Sequence, residues 1–262
     1  MINTSRDQGI HDMRVRGNHV GYGMGLGVML LDDAYPGFPG DVRNPSAYPF
    51  PIQYDIATDV SNKTLVWDQD KTPVRAPIIA SAKRLERYGC RAIAAECGYF
   101  AYFQEDVAAA VNVPVFTSSL LQVPFAQTLV GQTKKVAILC AQRRFLTDRH
   151  LEAVGIDPDS NLIIGGAQDE LGVTEFDKLW DPEKRPQEPY ASYATCETQM
   201  VEATKALVAR DPNIGAIVYE CTGMQPFSRA AQREVGLPIF DWGTLLHYAY
   251  SAVVSRDYYG HV

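Results

Sequence analysis

A chain of 262 residues, 46% hydrophobic and 21% charged, has the length and composition to bury a full core as a globular protein. Its formal charge of −7 and pI near 5.2 argue against nucleic acid or an anionic membrane surface as a main partner, and leave room for a small anionic substrate at a locally positive site. The opening stretch MINTSRDQGIHDMRVRGNHV lacks the apolar core of a signal peptide, and no run of about eighteen apolar residues reads as a membrane span.

In chain order, LGVMLL at 26–31 reads as a strand buried on both faces, because its apolar run is continuous rather than alternating. A Pro/Gly-rich loop, DDAYPGFPGDVRNPSAYPFP, follows at a length that often marks function. Residues 52–60 alternate weakly as a second strand, and Ile78, Ile79, Ala82, Leu85 and Tyr88 recur at helical spacing over about 75–88, with Gly89 as the stop. Strands at 91–96 and 113–116 flank a helical stretch, and a helix over about 118–130 ends near Gly131.

The second half repeats this order. Strand 136–140 is followed by a helix over about 143–153 and strand 162–164. Residues 165–188 are acidic and show no firm pattern. A helix over about 190–210, strand 214–220, a helical stretch, strand 237–240 and a last helix over about 243–256 complete the chain. Strands alternating with helices predict an α/β protein with parallel sheets and right-handed crossovers.

The two halves are related in sequence. AIAAECGYFAYFQEDVAAAVNVPVF at 92–116 aligns without a gap to AIVYECTGMQPFSRAAQREVGLPIF at 216–240, matching Glu96 to Glu220, Cys97 to Cys221, Pro114 to Pro238 and Phe116 to Phe240. Cys97 and Cys221 therefore fall at the carboxyl ends of equivalent strands, where parallel sheets bind ligands. A free cysteine is most often a small buried core residue. Two at one repeat position point instead to a pair of thiols across a cleft, one removing a proton and the other supplying one. A helix N-terminus after each would lower its pKa and offer N–H groups to a carboxylate.

Glu96 and Glu220, adjacent along the strands, are expected to face away from the cleft and to pair with Arg or Lys. Thr117, Ser118, Ser119, Thr222 and Asp241 lie at strand ends and either bind a carboxylate or cap helices. Arg143 and Arg144 follow strand 136–140 and could anchor a carboxylate, although such arginines are usually solvated. His150 and His247 read as structural. The run GYGMGLG precedes its strand, which does not fit a dinucleotide fingerprint. Tyr99, Phe100, Tyr102 and Phe103 mix core positions with one or two walls of a pocket suited to an apolar or cationic group. The five cysteines, an odd number without a CxxC pair, read as thiols of a reducing cytoplasm rather than disulfides or a zinc site.

These features resemble the aspartate/glutamate racemase superfamily, which includes amino-acid and hydantoin racemases, maleate isomerases, arylmalonate decarboxylases and algal-type dimethylsulfoniopropionate lyases. The resemblance runs from about Gly25 to Val254 and rests on Glu96-Cys97-Gly98, Glu220-Cys221-Thr222, PVFTSS and GLPIFD. It implies two pseudo-symmetric Rossmann-like domains, with the active site between them and no cofactor. We place the first domain at 1–131 plus 241–262, with the C-terminal helix returning to it, and the second at 132–240. Amino-acid racemases usually carry Asn-Thr after the first cysteine to hold the substrate. Gly98-Tyr99 stand there in this chain, and CGYFAYFQ, PVFTSSLLQVP and ECTGMQPF are locally more similar to the lyase branch.

The expected activity is a cofactor-independent racemase or epimerase acting on a small amino acid or related carboxylate. Cys97 and Cys221 would be acid and base, with Gly98, Tyr99, Thr117, Ser118, Thr222 and Arg143 around the substrate. Two alternatives stand beside it: a lyase that eliminates dimethyl sulfide to leave acrylate, and a non-catalytic carboxylate-binding protein. The expected partner is a small carboxylate, with neither nucleic acid nor membrane, and a homo-oligomer is compatible with the sequence.

Overall fold

The computed structural model describes residues 17, 19–34, 36–181, 183–256 and 258. Most of the polar N-terminal stretch, and the last residues of the first expected domain, lie outside them. Two four-stranded parallel sheets carry the fold. The first contains β1 (Leu26–Leu31), β2 (Ile52–Ala57), β3 (Ala92–Ala95) and β4 (Val115–Phe116), in the order β2-β1-β3-β4. The second contains β5 (Lys135–Cys140), β6 (Leu162–Gly166), β7 (Ile214–Tyr219) and β8 (Ile239–Phe240), in the order β6-β5-β7-β8. The orders are the same when counted within each half, so the repeated segment marks a duplicated fold of the expected α/β class.

Local chemistry explains where the elements differ from expectation. Helix α1 (Thr72–Arg87) begins earlier than the apolar spacing suggests, because Pro73 suits a first helical turn; Gly89, at φ +87°, ends it. The strands expected at 113–116 and 237–240 shorten to β4 and β8. Pro114 and Pro238 have no N–H for the ladder, and their carbonyls accept from Ile93 and Ile217 at 2.9 and 3.0 Å. After Cys97 and Cys221 the chain forms six-residue 3-10 turns, Gly98–Phe103 and Thr222–Phe227, before α2 (Gln104–Ala110) and, in the second half, α7 (Ser228–Val235).

Helices cross between the halves. Past β4, a 3-10 turn leads into α3 (Val123–Val130), which packs on β5 and β7 of the second sheet. Past β8, α8 (Trp242–Val253) packs on β3 of the first sheet, and Arg91 donates to the Val253 carbonyl at 3.3 Å. A boundary at 131/132 therefore falls behind a helix that already serves the second sheet. Helices α4 (Asp148–Glu152), α5 (Asp177–Trp180) and α6 (Tyr193–Val208) complete the second half. One core of buried side chains runs through both sheets, with Met29, Phe100, Tyr219 and Trp242 among its fully buried members. Among the described residues no helix is long and apolar enough to cross a membrane. All five cysteines are free thiols.

Candidate active site

The carboxyl ends of β3 and β7 meet at the interface of the halves. The Glu96 N–H continues the ladder to the Met29 carbonyl of β1 at 3.0 Å, and the Glu220 N–H continues it to the Leu139 carbonyl of β5 at 2.9 Å. Each carboxylate then takes an N–H two residues further along the central chain: Leu31 N–H on Glu96 at 3.0 Å and Ala141 N–H on Glu220 at 3.3 Å. The next residue in each copy is the cysteine. Both Cys97 and Cys221 line one small cavity of about 30 Å³.

Tyr99, Gln142, Thr222 and both glutamates also line it. Tyr99 bridges the halves, its hydroxyl donating to the Gln142 carbonyl at 2.7 Å and accepting from the Gln142 N–H at 3.0 Å. The cover comes from segments that sequence reading left unassigned. Asn62 and Val66 belong to a π-helical turn region of the first half, and Phe176 and Trp180 come from the pattern-free stretch before and within α5. Asn62 Nδ2 donates to the Trp180 carbonyl at 3.3 Å and ties the two covers together. Their only sequence signal was aromatic side chains in an otherwise acidic loop.

The expectation that both glutamates face away from the cleft is corrected. Strand alternation ends with Ala95 and Tyr219, so it does not govern Glu96 and Glu220, which follow them. The expected cationic partner exists for one of them. Arg43, from the long Pro/Gly loop, donates Nε to Glu96 at 2.7 Å and also forms an ion pair with it through its terminal nitrogen. Among the described residues, the second oxygen of Glu220, Oε1, has no hydrogen-bond partner. Burial pushes Glu96 up to about 7 with Arg43 opposing it, and Glu220 up to about 8 with only the Ala141 N–H opposing.

The thiols are not lowered at rest. Burial, followed by the Glu220 charge, raises both Cys97 and Cys221 well above the usual thiol range. Equivalent N–H groups pull the other way, Tyr99 N–H on Cys97 and Gly223 N–H on Cys221. Each thiol stands at the N-cap of a six-residue 3-10 turn, whose N–H groups oppose the burial without overcoming it.

Several expected substrate contacts lie elsewhere. Thr117 donates its hydroxyl to Gln104 Oε1 at 2.7 Å, and Ser118 caps the following turn by accepting from the Leu120 N–H at 3.2 Å. Ser119 donates to the Tyr219 carbonyl, and Asp241 caps α8. Arg143 turns its guanidinium back onto the Leu146 carbonyl at 2.7 Å. Ser118 and Arg143 bond the nearby backbone, Thr117 the Gln104 side chain, and Ser119 the Tyr219 carbonyl of the other half.

Gly98 contributes space rather than a side chain: a Cβ there would lie 2.0 Å from Glu220 Oε1. At Gly223 a Cβ would lie 1.8 Å from the Phe176 ring. Phe100 and Phe103 are core, and of the aromatic cluster only Tyr99 reaches the cavity. His150 sits in the capping box of α4 and His247 bonds the Gly243 carbonyl, both structural. No group of three or more His, Cys, Asp or Glu side chains among the described residues is arranged to hold a metal.

This chain belongs to the Asp/Glu/Hydantoin racemase family, whose profile matches residues 62–247. It is thereby an enzyme of that superfamily, an isomerase or a lyase. It is similar to a dimethylsulfoniopropionate lyase of Durusdinium sp. clade D, with 27% identity over 239 residues that cover 89% of this chain and 73% of that protein. Dimethylsulfoniopropionate lyase 3 of Emiliania huxleyi (strain CCMP1516) is 26% identical over 239 residues, covering 90% of this chain and 61% of that protein, so the chain spans less than two thirds of its length. An allantoin racemase from Klebsiella pneumoniae shares the fold, with a TM-score of 0.57 at 14% identity over 89% of this chain and 88% of that one.

Proposed function

We propose that the protein removes the proton α to the carboxylate of a small substrate with the Cys97 and Cys221 thiols, without a cofactor, and that a β leaving group then departs. The observation that carries this reading is that both thiols line one cavity between the sheets, each followed by a turn whose N–H faces the sulfur. The outcome favoured is that of the dimethylsulfoniopropionate lyases, relatives that align with about nine tenths of the chain. It displaces the racemase from first place. Family membership sets aside the non-catalytic binding protein.

In that reaction the Cα proton passes to one sulfur. Its electron pair becomes the Cα–Cβ double bond, the C–S bond breaks, and dimethyl sulfide leaves with the bonding pair. Acrylate remains. Burial keeps both sulfurs largely protonated at neutral pH, so the base is the minor thiolate form of one of them. The two turn N–H groups favour that thiolate. Thr222 lines the cavity, and its hydroxyl would hold the carboxylate.

Incubation with dimethylsulfoniopropionate should yield acrylate and dimethyl sulfide in equal amounts. A racemase is the second reading, favoured by the equivalent placement of the thiols, which stereoinversion needs and elimination does not. It predicts solvent deuterium at Cα of an amino acid or related carboxylate, with loss of optical activity and no acrylate. Neither acrylate nor Cα exchange across such substrates would overturn both readings.

A further inference from the structure

Among the described residues, Glu220 is fully buried, lines the cavity and has an oxygen, Oε1, without a hydrogen-bond partner. A buried carboxyl commonly has both oxygens satisfied, because an unpaired buried polar atom is costly; Asp177, outside the cavity, is the other described carboxyl with an unpartnered buried oxygen. Glu96 shows the satisfied version: the same backbone position and an equivalent N–H contact, with Arg43 on the remaining side. No Lys or Arg among the described residues lines the cavity.

The chain also makes room for this carboxyl. Gly98 lacks the atom that would sit 2.0 Å from Oε1, so Glu220 reaches from the second half to the turn that carries Cys97. Tyr99, Phe176 and Trp180 line the same space with aromatic rings, which attract cations over their faces. Trp180 also has an Nε1–H with no acceptor among the described residues. An unanswered acceptor, an unanswered donor and aromatic walls complement a molecule that carries both charges.

We infer that Glu220 binds the cationic group of the substrate, so that the site selects small zwitterions bearing an onium group and a carboxylate. The inference rests on the reading of this cavity as the substrate site and specifies what enters it. Burial leaves the Glu220 carboxyl largely protonated at neutral pH, since it is pushed up to about 8. A cation beside it favours the carboxylate, so binding releases a proton. The titratable groups around Glu220 are Cys97, Cys221, Cys140 and Tyr99, all raised well above their usual values by burial and then by Glu220 itself, so they keep their protons. Glu96, on the far wall, is pushed up to about 7 and remains as the competing source.

The test is binding, so it does not depend on turnover. Calorimetry compares 3-(trimethylammonio)propanoate with its uncharged isostere 4,4-dimethylpentanoate on the full chain. The wild type should bind the cation at least about tenfold tighter. Glu220→Gln should lose that preference while holding the uncharged isostere within about threefold. Titrations in buffers of different ionisation heat, at about pH 7.5, should show proton release with the cation alone. Glu96→Gln should keep that release, and Glu220→Gln should abolish it. Should Glu220→Gln not fold, the release measured in the wild type and in Glu96→Gln decides the matter. Equal affinity of the wild type for the two compounds, a preference that survives in folded Glu220→Gln, or release lost in Glu96→Gln overturns the assignment. If dimethylsulfoniopropionate is not cleaved yet the cation preference and its loss are seen, the lyase reading falls and this one stands.

Discussion

Glu96-Cys97 and Glu220-Cys221 have the same backbone and different surroundings. Both glutamates directly follow a strand, both extend the ladder to the central strand, and both take an N–H two residues further on. Arg43 answers Glu96, whereas Glu220 Oε1 is met by the bare Cα of Gly98. The next positions are also crossed: Gly98-Tyr99 behind one thiol, Thr222-Gly223 behind the other. Duplication preserved what backbone hydrogen bonds impose. Side chains, which the ladder does not constrain, diverged, and they make the cavity two-sided in shape but one-sided in charge.

The sharpest way to break the comparison is to remove the sulfurs one at a time. Cys97→Ala and Cys221→Ala should each lower racemisation by about a thousandfold or more if the thiols exchange roles. For elimination, only the base should matter to that degree. The ratio of the two losses, read as acrylate formation and as Cα deuterium exchange, measures how symmetric the chemistry is.

Arg43→Met tests the satisfied glutamate. It leaves a buried carboxyl without its cation, with an expected cost of about 3 kcal/mol at pH 8 in a urea titration. At pH 5 the loss should be smaller, because Glu96 is then protonated and has no charge to answer. An equal loss at both values would mean that Arg43 acts through its bonds to the Leu31 and Asp33 carbonyls instead.

The unsatisfied glutamate should appear in the pH dependence of stability. Its folded pKa, about 8, lies above the ordinary 4.5, so its contribution is fully present below about 4.5 and is lost as pH rises through about 8. Thermal melts of Glu220→Gln should therefore decline less between pH 5 and pH 8 than those of the wild type. Parallel declines would remove Glu220 as a titrating group. Tyr99→Phe is expected to have the smallest effect, about 1–2 kcal/mol, from the loss of its paired bonds to Gln142 across the halves.

Much of the fold was legible because its signals are local. Continuous apolar runs marked β1, β5 and β7, Gly89 ended α1, and the repeat announced the duplication. The cysteine pair was legible for the same reason, through its place at the ends of equivalent strands. The crossing of α3 to the second sheet was not, since nothing in a helix's own residues names the sheet it will cover. The partners of Thr117, Ser118 and Arg143 were not legible either, because a residue's position at a strand end does not reveal which backbone or amide group will claim it.

The amino-acid sequence by itself determined the two α/β halves, the equivalence of Cys97 and Cys221, and the irregular Gly98-Tyr99 between them. Those follow from hydrophobic periodicity and from matched residues along one chain. Only the tertiary structure decided that Arg43 meets Glu96, that Phe176 and Trp180 cover the cavity, and that Glu220 occupies the space Gly98 leaves. Each of these joins residues far apart in sequence. Their free energy comes from burial and electrostatic matching across an interface that no local pattern encodes.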